Sequence, residues 1–435
     1  MTLLNKKANE NDQISYLPGN VIDAILANLE IKDQVRTSIL SKNWRYMWTS
    51  APQLHFDQDF FNTFMHLDDP NPVISKIITD VLMLHSGPIH KFTLYLPYDS
   101  AYFDMEVEYL NIWIPILSSK GVKYLDFVNF NSVPDEIPFI IFSCKELTYL
   151  KFGGFNMSIP PDFCGFKKLL ELHLDMLIFE PGALETLVSG CPFLEKLIIE
   201  SCDGYEYLDI SSPTLKVLEI VLRDDMKSIS LEKATNLVDF TLDVNGIRVY
   251  GLIKSLPKIK RLSVRKSMYG KKEKYPYADI IPLTLLASSF NSLEYLQLHD
   301  MSLNEKGELL YVVSVLKSAP RLTEFAIYQS GNNDDTSQVS DYFEELQECW
   351  WLRLELEEHC WLGLQIVDIY LGGSPHHAMS LTQFILLNSP LLETLTFNYC
   401  YKELDAPMLL KISQELLLME RVSPRAQVEF NHSAF

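Results

Sequence analysis

One phrase of apolar positions, apolar-x-x-apolar-x-apolar, recurs along most of the chain. It reads Leu147-x-x-Leu150-x-Phe152, then Leu169-x-x-Leu172-x-Leu174, then Leu194-x-x-Leu197-x-Ile199. It continues at Leu215, Leu218, Ile220; at Leu237, Phe240, Leu242; and at Ile259, Leu262, Val264. Later copies start at Leu293, Leu322, Leu364 and Leu392, and two weaker early ones at Ile89 and Val122. Alternation inside the phrase predicts one short strand per copy. Pro192, Pro213, Pro257, Pro320 and Pro390 each stand two residues before the first apolar residue of a copy. Proline lacks the N–H that a ladder needs, so it marks the residue just outside a strand.

From Leu147 to Ile259 the copies start 22, 25, 21, 22 and 22 residues apart. Leucine-rich repeats have periods of about 20–29 residues. A unit of that size cannot bury its own apolar face, so neighbours stack. The predicted fold is therefore α/β: a curved parallel-sheet leucine-rich-repeat solenoid with helices on its convex side. Gly182–Ser189 and Glu308–Ser318 have the apolar spacing of such helices. Cys202 and Cys400 stand eight residues after the first leucine of their copies and read as small buried groups. Steps of 33 residues after Ile89, 34 after Ile259 and 42 after Leu322 hold insertions, among them the loop Tyr269–Pro282 and the polar Ser330–Glu348.

Residues 14 to 56 follow a different pattern. Pro18 suits a first helical turn, and Val21, Ile22, Ile25, Leu26 and Leu29 then form a helical stripe. A second helix near Asp33 carries Val35, Ile39 and Leu40. Ser41 is placed to cap a third helix, with Trp44 and Trp48 four residues apart on one face. Three helices in so short a stretch make a small core. The surplus of Leu, Ile and Trp predicts a surface that a partner covers.

Charge narrows the classes of partner. The 435 residues carry a net charge of −20, which disfavours nucleic acid and anionic membrane. No apolar run approaches the ~20 residues of a membrane span. Seven cysteines with no CxxC pair favour a reducing compartment. An intracellular location, cytoplasmic or nuclear, is expected.

Ile14-Ser15-Tyr16-Leu17-Pro18, followed by Ile25-Leu26, Leu29, Val35-Arg36-Thr37-Ser38-Ile39-Leu40-Ser41-Lys42-Asn43-Trp44-Arg45 and Trp48, closely resembles the F-box of plant F-box proteins. Gly190-Cys191-Pro192-Phe193-Leu194-Glu195-Lys196-Leu197 resembles the repeat phrase of the plant F-box/leucine-rich-repeat group. Leu364–Leu371, Leu381–Ser389 and Leu392–Phe397 are similar to a C-terminal FBD module. The resemblance implies an F-box at 13–57, a solenoid at 85–344, an FBD-like module at 345–420 continuing it, and tails at 1–12 and 421–435. It also implies a substrate receptor of an SCF-type ubiquitin ligase. Such a receptor is joined through a Skp-like adaptor to a cullin, needs no cofactor, and contributes proximity rather than bond chemistry. Leu17, Pro18, Ile22, Ile25, Leu26, Leu29, Leu40, Trp44 and Trp48 would line or support the adaptor interface, with Leu17, Pro18 and Trp44 foremost. Gly19 stands where an acidic residue is usual and Glu30 where proline is usual. The alternative is a non-degradative repeat scaffold whose F-box is unused.

In each repeat strand the positions two, four and six residues after the first apolar one point outward. Early copies present acids there. Later ones gather Arg261, Arg265, Tyr295, His299, Tyr328 and Tyr370. Tyr and Arg are enriched in binding hot spots, so these six are the expected target-binding residues, weighed against an ordinary solvated face. Lys254 to Lys274 holds nine basic residues and one acid, either a solvated edge or a receiver of an acidic or phosphorylated segment. No nucleotide cradle or hydrolase motif appears. His359-Cys360 and His376-His377 lack the second ligand pair of a metal site. Glu355, Glu357 and Glu358 read as the solvent side of an amphipathic element, and Cys144, Cys164, Cys191 and Cys349 lack a nearby His.

Overall fold

The computed structural model describes residues 14, 17–94, 107–129, 134–245, 256, 258–265, 290–301, 303, 306–329, 362–372, 375–399 and 406–432. Tyr269–Pro282, Ser330–Glu348, Glu355, Glu357, Glu358, His359-Cys360, Cys349, Cys400 and the His376-His377 side chains lie outside the described residues, as do the ends of the Lys254–Lys274 stretch. The chain divides into two compact units, Met1–Tyr205 and Glu206–Phe435.

The first unit opens with α1 (Gly19–Ala27), α2 (Ile31–Arg36), and 3₁₀ turns over Thr37–Ile39 and Trp44–Ser50. Pro18 starts α1: its carbonyl accepts from Val21 N at 2.9 Å and Ile22 N at 3.1 Å. Ile22, Leu26, Trp44 and Ala51 form the core, with Leu17, Leu29 and Met47 packed against it. Gln34 was not singled out by pattern, yet it is buried. Its amide donates to Leu26 O at 2.9 Å, Leu29 O at 3.0 Å and Gln53 O at 3.2 Å, closing the open end of α1. The expected third helix is a 3₁₀ turn, not α. Thr49 and Ser50 hydroxyls donate three residues back, to Tyr46 O and Met47 O, which favours the tighter winding.

A parallel ladder follows: β1 (Gln53–Phe56), β2 (Lys91–Leu94), β3 (Tyr124–Val128), β4 (Tyr149–Gly153), β5 (Glu171–Asp175) and β6 (Lys196–Glu200). The strands bury alternate residues, with Thr93, Val128 and Gly153 buried in addition, and Leu150, Leu172 and Leu197 stack at 0–1% exposure. Each such leucine contributes about 1.5–3 kcal/mol of apolar burial. The ladder begins at Gln53, inside the segment expected to end at 57, rather than at 85. Leu54 and Phe56 alternate like a strand and align with Phe92 and Leu94. Residues between the two strands form α3 (Gln58–Asn62) and α4 (Asn71–Leu84), and α5 (Val107–Ser119) fills the long step after Ile89. The helix expected near Gly182 is present as α6 (Ala183–Ser189), and a small parallel sheet of 135–136, 155–157 and 178–179 was not foreseen. Gly153, expected to point outward, is buried, because an added Cβ would lie 2.0 Å from Asp175 O.

The second unit continues the same device: β7 (Val217–Asp225), β8 (Asp239–Asn245), β9 (Arg261–Arg265), β10 (Tyr295–Met301), β11 (Glu324–Gln329), β12 (Ile366–Leu371), β13 (Thr394–Tyr399) and β14 (Gln427–His432), all parallel. Among the described residues its helices are α7 (Lys306–Ser318), α8 (His376–Asn388) and α9 (Ala406–Leu418). β14 lies in the stretch 421–435 that was expected to be a tail. Val428 and Phe430 alternate and pair with Leu395 and Phe397, so the residues behave as one more repeat strand. The fold class is thus the expected one: α/β, parallel repeat ladders preceded by short helices.

Candidate functional site

The helical segment presents one surface of interest. α1 carries two apolar stripes: Ile22 and Leu26 are buried, whereas Val21 and Ile25 on the adjacent stripe are exposed. α2 buries Ile31 and Gln34, which leaves Val35 outside, and the next turn holds Ile39 at 86% and Leu40 at 53% exposure. Val35 and Ile39 were read as helical residues but not as interface residues; their being off the face that α2 buries is a tertiary fact. Of the nine expected residues, Ile22, Leu26, Trp44 and Trp48 are buried, Leu17 and Leu29 half-buried, and Pro18, Ile25 and Leu40 exposed. Trp44 is corrected to a supporting place: it is 2% exposed and its indole N–H donates to Ile14 O at 3.0 Å. Gly19 has open space around its missing Cβ. Glu30 sits before α2 beside Asp57, whose hydrogen bond and negative charge raise the Glu30 pKa.

The second surface is the outward face of the unit 2 ladder. Arg261 Nε lies 3.5 Å from Asp239 Oδ2, and the guanidinium sits 4.0 Å from the Tyr295 ring centroid. The Tyr295 hydroxyl donates to Gln297 Oε1 at 2.7 Å. Arg265 Nη1 lies 3.6 Å from Asp243 Oδ2 and Nη2 lies 3.2 Å from His299 Nδ1. The His299 ring stacks on Tyr328 at 4.3 Å, and Tyr328 on Tyr370 at 4.2 Å with planes 2° apart. The physical cause is ladder spacing: in-register residues on neighbouring strands sit ~4.8 Å apart, close to a stacking distance. Burial, then the Arg265 charge, pushes the His299 pKa down to about 4, so at neutral pH its Nδ1 accepts from Arg265. Burial raises the carboxyls of Asp243 and Asp300. All six expected target residues therefore gather on four adjacent strands.

The basic stretch behaves differently from its sequence. Lys258 Nζ donates to Asn236 Oδ1 at 2.6 Å and Lys260 Nζ to Glu294 Oε1 at 2.7 Å. With Arg261 and Arg265 held by aspartates, each described basic residue from 258 to 265 already has an acceptor.

The unit 1 face is of mixed charge, not simply acidic. Lys91 lies over the Tyr124 ring at 4.4 Å, Tyr124 stacks on Tyr149 at 3.9 Å, and His173 Nε2 lies 2.9 Å from Glu200 Oε2. Burial raises the Asp126 carboxyl, opposed by Lys151, His173, Lys91 and His55. Burial also pushes the Cys144 and Cys191 thiols up to about 11 and Cys202 up to about 12, which keeps them protonated and poorly nucleophilic. Cys202 packs as expected, its thiol donating to Glu200 O at 3.2 Å. Among the described residues no group of three His, Cys, Asp or Glu side chains is placed to hold a metal ion, and no helix is long and apolar enough to cross a membrane.

Comparison with known proteins bears on the same segments. The F-box domain family matches residues 14–55, and the leucine-rich repeats of FBD-associated F-box protein At5g56370 match residues 110–327. F-box/FBD/LRR-repeat protein At1g13570 of Arabidopsis thaliana is 30% identical over 434 residues, covering 96% of this chain and 98% of its own length. FBD-associated F-box protein At5g56380 of the same plant is 24% identical over 470 residues, covering 97% and 100%. F-box/FBD/LRR-repeat protein At2g04230, also from Arabidopsis thaliana, is 26% identical over 396 residues, covering 81% and 83%.

Proposed function

The chain belongs to the F-box/FBD/LRR-repeat family, and on that premise we propose that it is the substrate-recognition subunit of an SCF-type ubiquitin ligase. The F-box docks on a Skp-like adaptor, the adaptor joins a cullin, and the unit 2 face takes a protein target. The chain itself performs no bond chemistry; it raises the target's concentration beside the ubiquitin-transferring enzyme. The proposed division is an F-box reaching to about residue 57, a repeat ladder, and an FBD-like module in the C-terminal part of that ladder.

The observation that carries the adaptor reading is the apolar surface on a segment whose core is already filled. Val21, Ile25, Val35, Ile39 and Leu40 are exposed while Ile22, Leu26, Trp44 and Ala51 pack inside. Large apolar groups left outside a completed core mark a partner surface. Burying Ile39 and Leu40 contributes about 1–2 kcal/mol each, so Ile39→Ala/Leu40→Ala weakens adaptor binding about a hundredfold. Surface plasmon resonance with a purified Skp-like adaptor measures this, with the melting temperature as the folding control. Equal binding by the folded variant removes the adaptor surface from this face. No binding by the intact, folded chain leaves a repeat scaffold with an unused F-box.

A further inference from the structure

Two proline turns of the first unit line one cavity of ≈ 230 Å³. The first runs Pro160-Pro161-Asp162-Phe163 and is closed by Phe163 N, which donates to Pro160 O at 3.0 Å. The second runs Glu180-Pro181-Gly182-Ala183 and is closed by Ala183 N, which donates to Glu180 O at 3.0 Å. With proline in second place and Gly182 third at φ 79°, ψ 0°, it has the form of a type II turn. Glu180 N also donates to Met157 O at 3.0 Å, which ties the second turn to the strand leading into the first. The Phe163 ring is held in its turn: its centroid lies 5.0 Å from that of Phe142 and 5.5 Å from that of Phe166. Phe142 in turn lies 6.5 Å from Phe139, which is 53% exposed. The row of rings thus runs from the cavity wall to a ring open to water, and exposed apolar surface of that kind marks a binding site.

Size and lining select the occupant. Pockets for small molecules have about 300–1,000 Å³, whereas a space of about 150 Å³ holds a benzene ring. The cavity therefore suits one aromatic side chain. Proline rings and Phe163 give it carbon walls, and the fixed φ of proline leaves those walls little freedom to lose on binding. The Thr186 hydroxyl at the cavity already donates to Gly182 O at 2.7 Å. The charged lining residue is Glu180, which is exposed and has no ion-pair partner among the described residues. Asp162 and Glu185 stand close by in sequence, and no Lys, Arg or His occurs from 154 to 166 or from 176 to 190. An acidic or phosphorylated group would meet like charge here; a cation beside the ring would meet opposite charge.

We propose that the cleft between the two proline turns anchors one aromatic side chain of a partner protein, in a segment that sets a Lys or Arg beside it to meet Glu180. The cleft lies wholly within the first unit, so it is a second binding site and does not depend on the unit 2 face being the target surface. The ring supplies most of the affinity, and the exposed Glu180 adds a smaller, salt-sensitive share.

The test is peptide display on the intact chain. Random twelve-residue peptides are selected on it and counter-selected on Thr186→Trp, whose indole fills the cleft. Thr186 is exposed, so the substitution disturbs no buried packing. An unchanged melting temperature verifies folding, and Thr186→Lys serves as the blocking variant if tryptophan lowers it. Affinities of the surviving peptides are then measured on the native chain, on the blocked variant and on Glu180→Gln, which keeps the shape and removes the charge. The expected result is a Phe, Tyr or Trp at one peptide position with a Lys or Arg next to it. Binding should weaken about thirtyfold on the blocked variant and about threefold on Glu180→Gln. No peptide surviving counter-selection overturns the site. Survivors without an aromatic residue overturn the aromatic anchor, and survivors that bind Glu180→Gln as tightly as the native chain overturn the basic neighbour.

Discussion

His85 offers a sharp test of how the F-box segment is fastened to the first ladder turns. It is 2% exposed and follows α4. Its Nε2 lies 2.8 Å from Ala51 O and its Nδ1 lies 3.1 Å from Gly87 O. Ala51 belongs to the F-box core, and alongside it Ser86 N and Gly87 N donate to Thr49 O at 2.7 and 3.2 Å. A neutral imidazole has one N–H, and the shorter contact assigns it to Nε2. His85→Ala orphans the buried Ala51 carbonyl, costing about 1–3 kcal/mol. The space left by the ring adds about 1–2 kcal/mol of lost packing. The expected loss is thus about 2–5 kcal/mol, a large part of the ~5–15 kcal/mol that a domain has.

Urea unfolding followed by tryptophan fluorescence, together with hydrogen exchange at Ser86 and Gly87, measures this loss. The pH dependence gives an independent sign. Burial lowers the His85 pKa; the Ala51 and Gly87 carbonyls oppose that shift, and Lys120 adds to it. The unfolded chain therefore binds the proton first, near pH 6.5. Stability falls as pH drops from ~6.5 toward the folded pKa, by up to about 1.4 kcal/mol per pH unit. His85→Gln removes that part of the slope. A loss below about 0.5 kcal/mol in His85→Ala, or identical slopes in the native chain and His85→Gln, would refute the fastening role.

Two further outcomes follow from backbone and burial. Gly154 has φ +80°, and an added Cβ would stand 1.6 Å from Asn129 O, so Gly154→Ala forces two strand ends apart and costs more than about 3 kcal/mol in thermal or urea unfolding; a loss under about 1 kcal/mol contradicts the close approach. Cys164 is exposed whereas Cys144, Cys191 and Cys202 are buried with raised pKa values. Residue-resolved maleimide labelling of the native chain at pH 7 modifies the exposed Cys164 and reaches the other three only on unfolding, and fast labelling of Cys202 contradicts its packing.

Much of the ladder was legible because it is written in local periodicity. Leu194-x-x-Leu197-x-Ile199 specifies which residues turn inward whatever lies beside them, and β6 buries those residues. The two ends of the ladder were less legible. β1 was hidden inside a helical motif and β14 inside a short polar stretch, since a strand of four to six residues carries few periods to count. The 3₁₀ turn over Trp44–Ser50 was missed because its apolar spacing also fits an α-helix. The outward residues Arg261, Arg265, Tyr295, His299, Tyr328 and Tyr370 were legible as a set, but their bonds were not. Arg261 and Tyr295 were expected neighbours, whereas the pairing of Arg261 with Asp239 neutralises a charge that the sequence presents as available.

The sequence by itself therefore determined the repeat, the phase of its strands and the inward and outward sides, because side-chain alternation and the need of each unit for a neighbour act within about one repeat. Tertiary structure alone decided which F-box apolar groups remain outside, since Ile22 and Ile39 differ in what packs over them rather than in chemistry. It also decided the lateral neighbours on the face. Parallel pairing sets Asp243, Arg265, His299, Tyr328 and Tyr370 side by side although they come from five different strands. Stacking of the buried apolar rows fixes that register across return segments of unequal length, and the charge and stacking of the face follow from it.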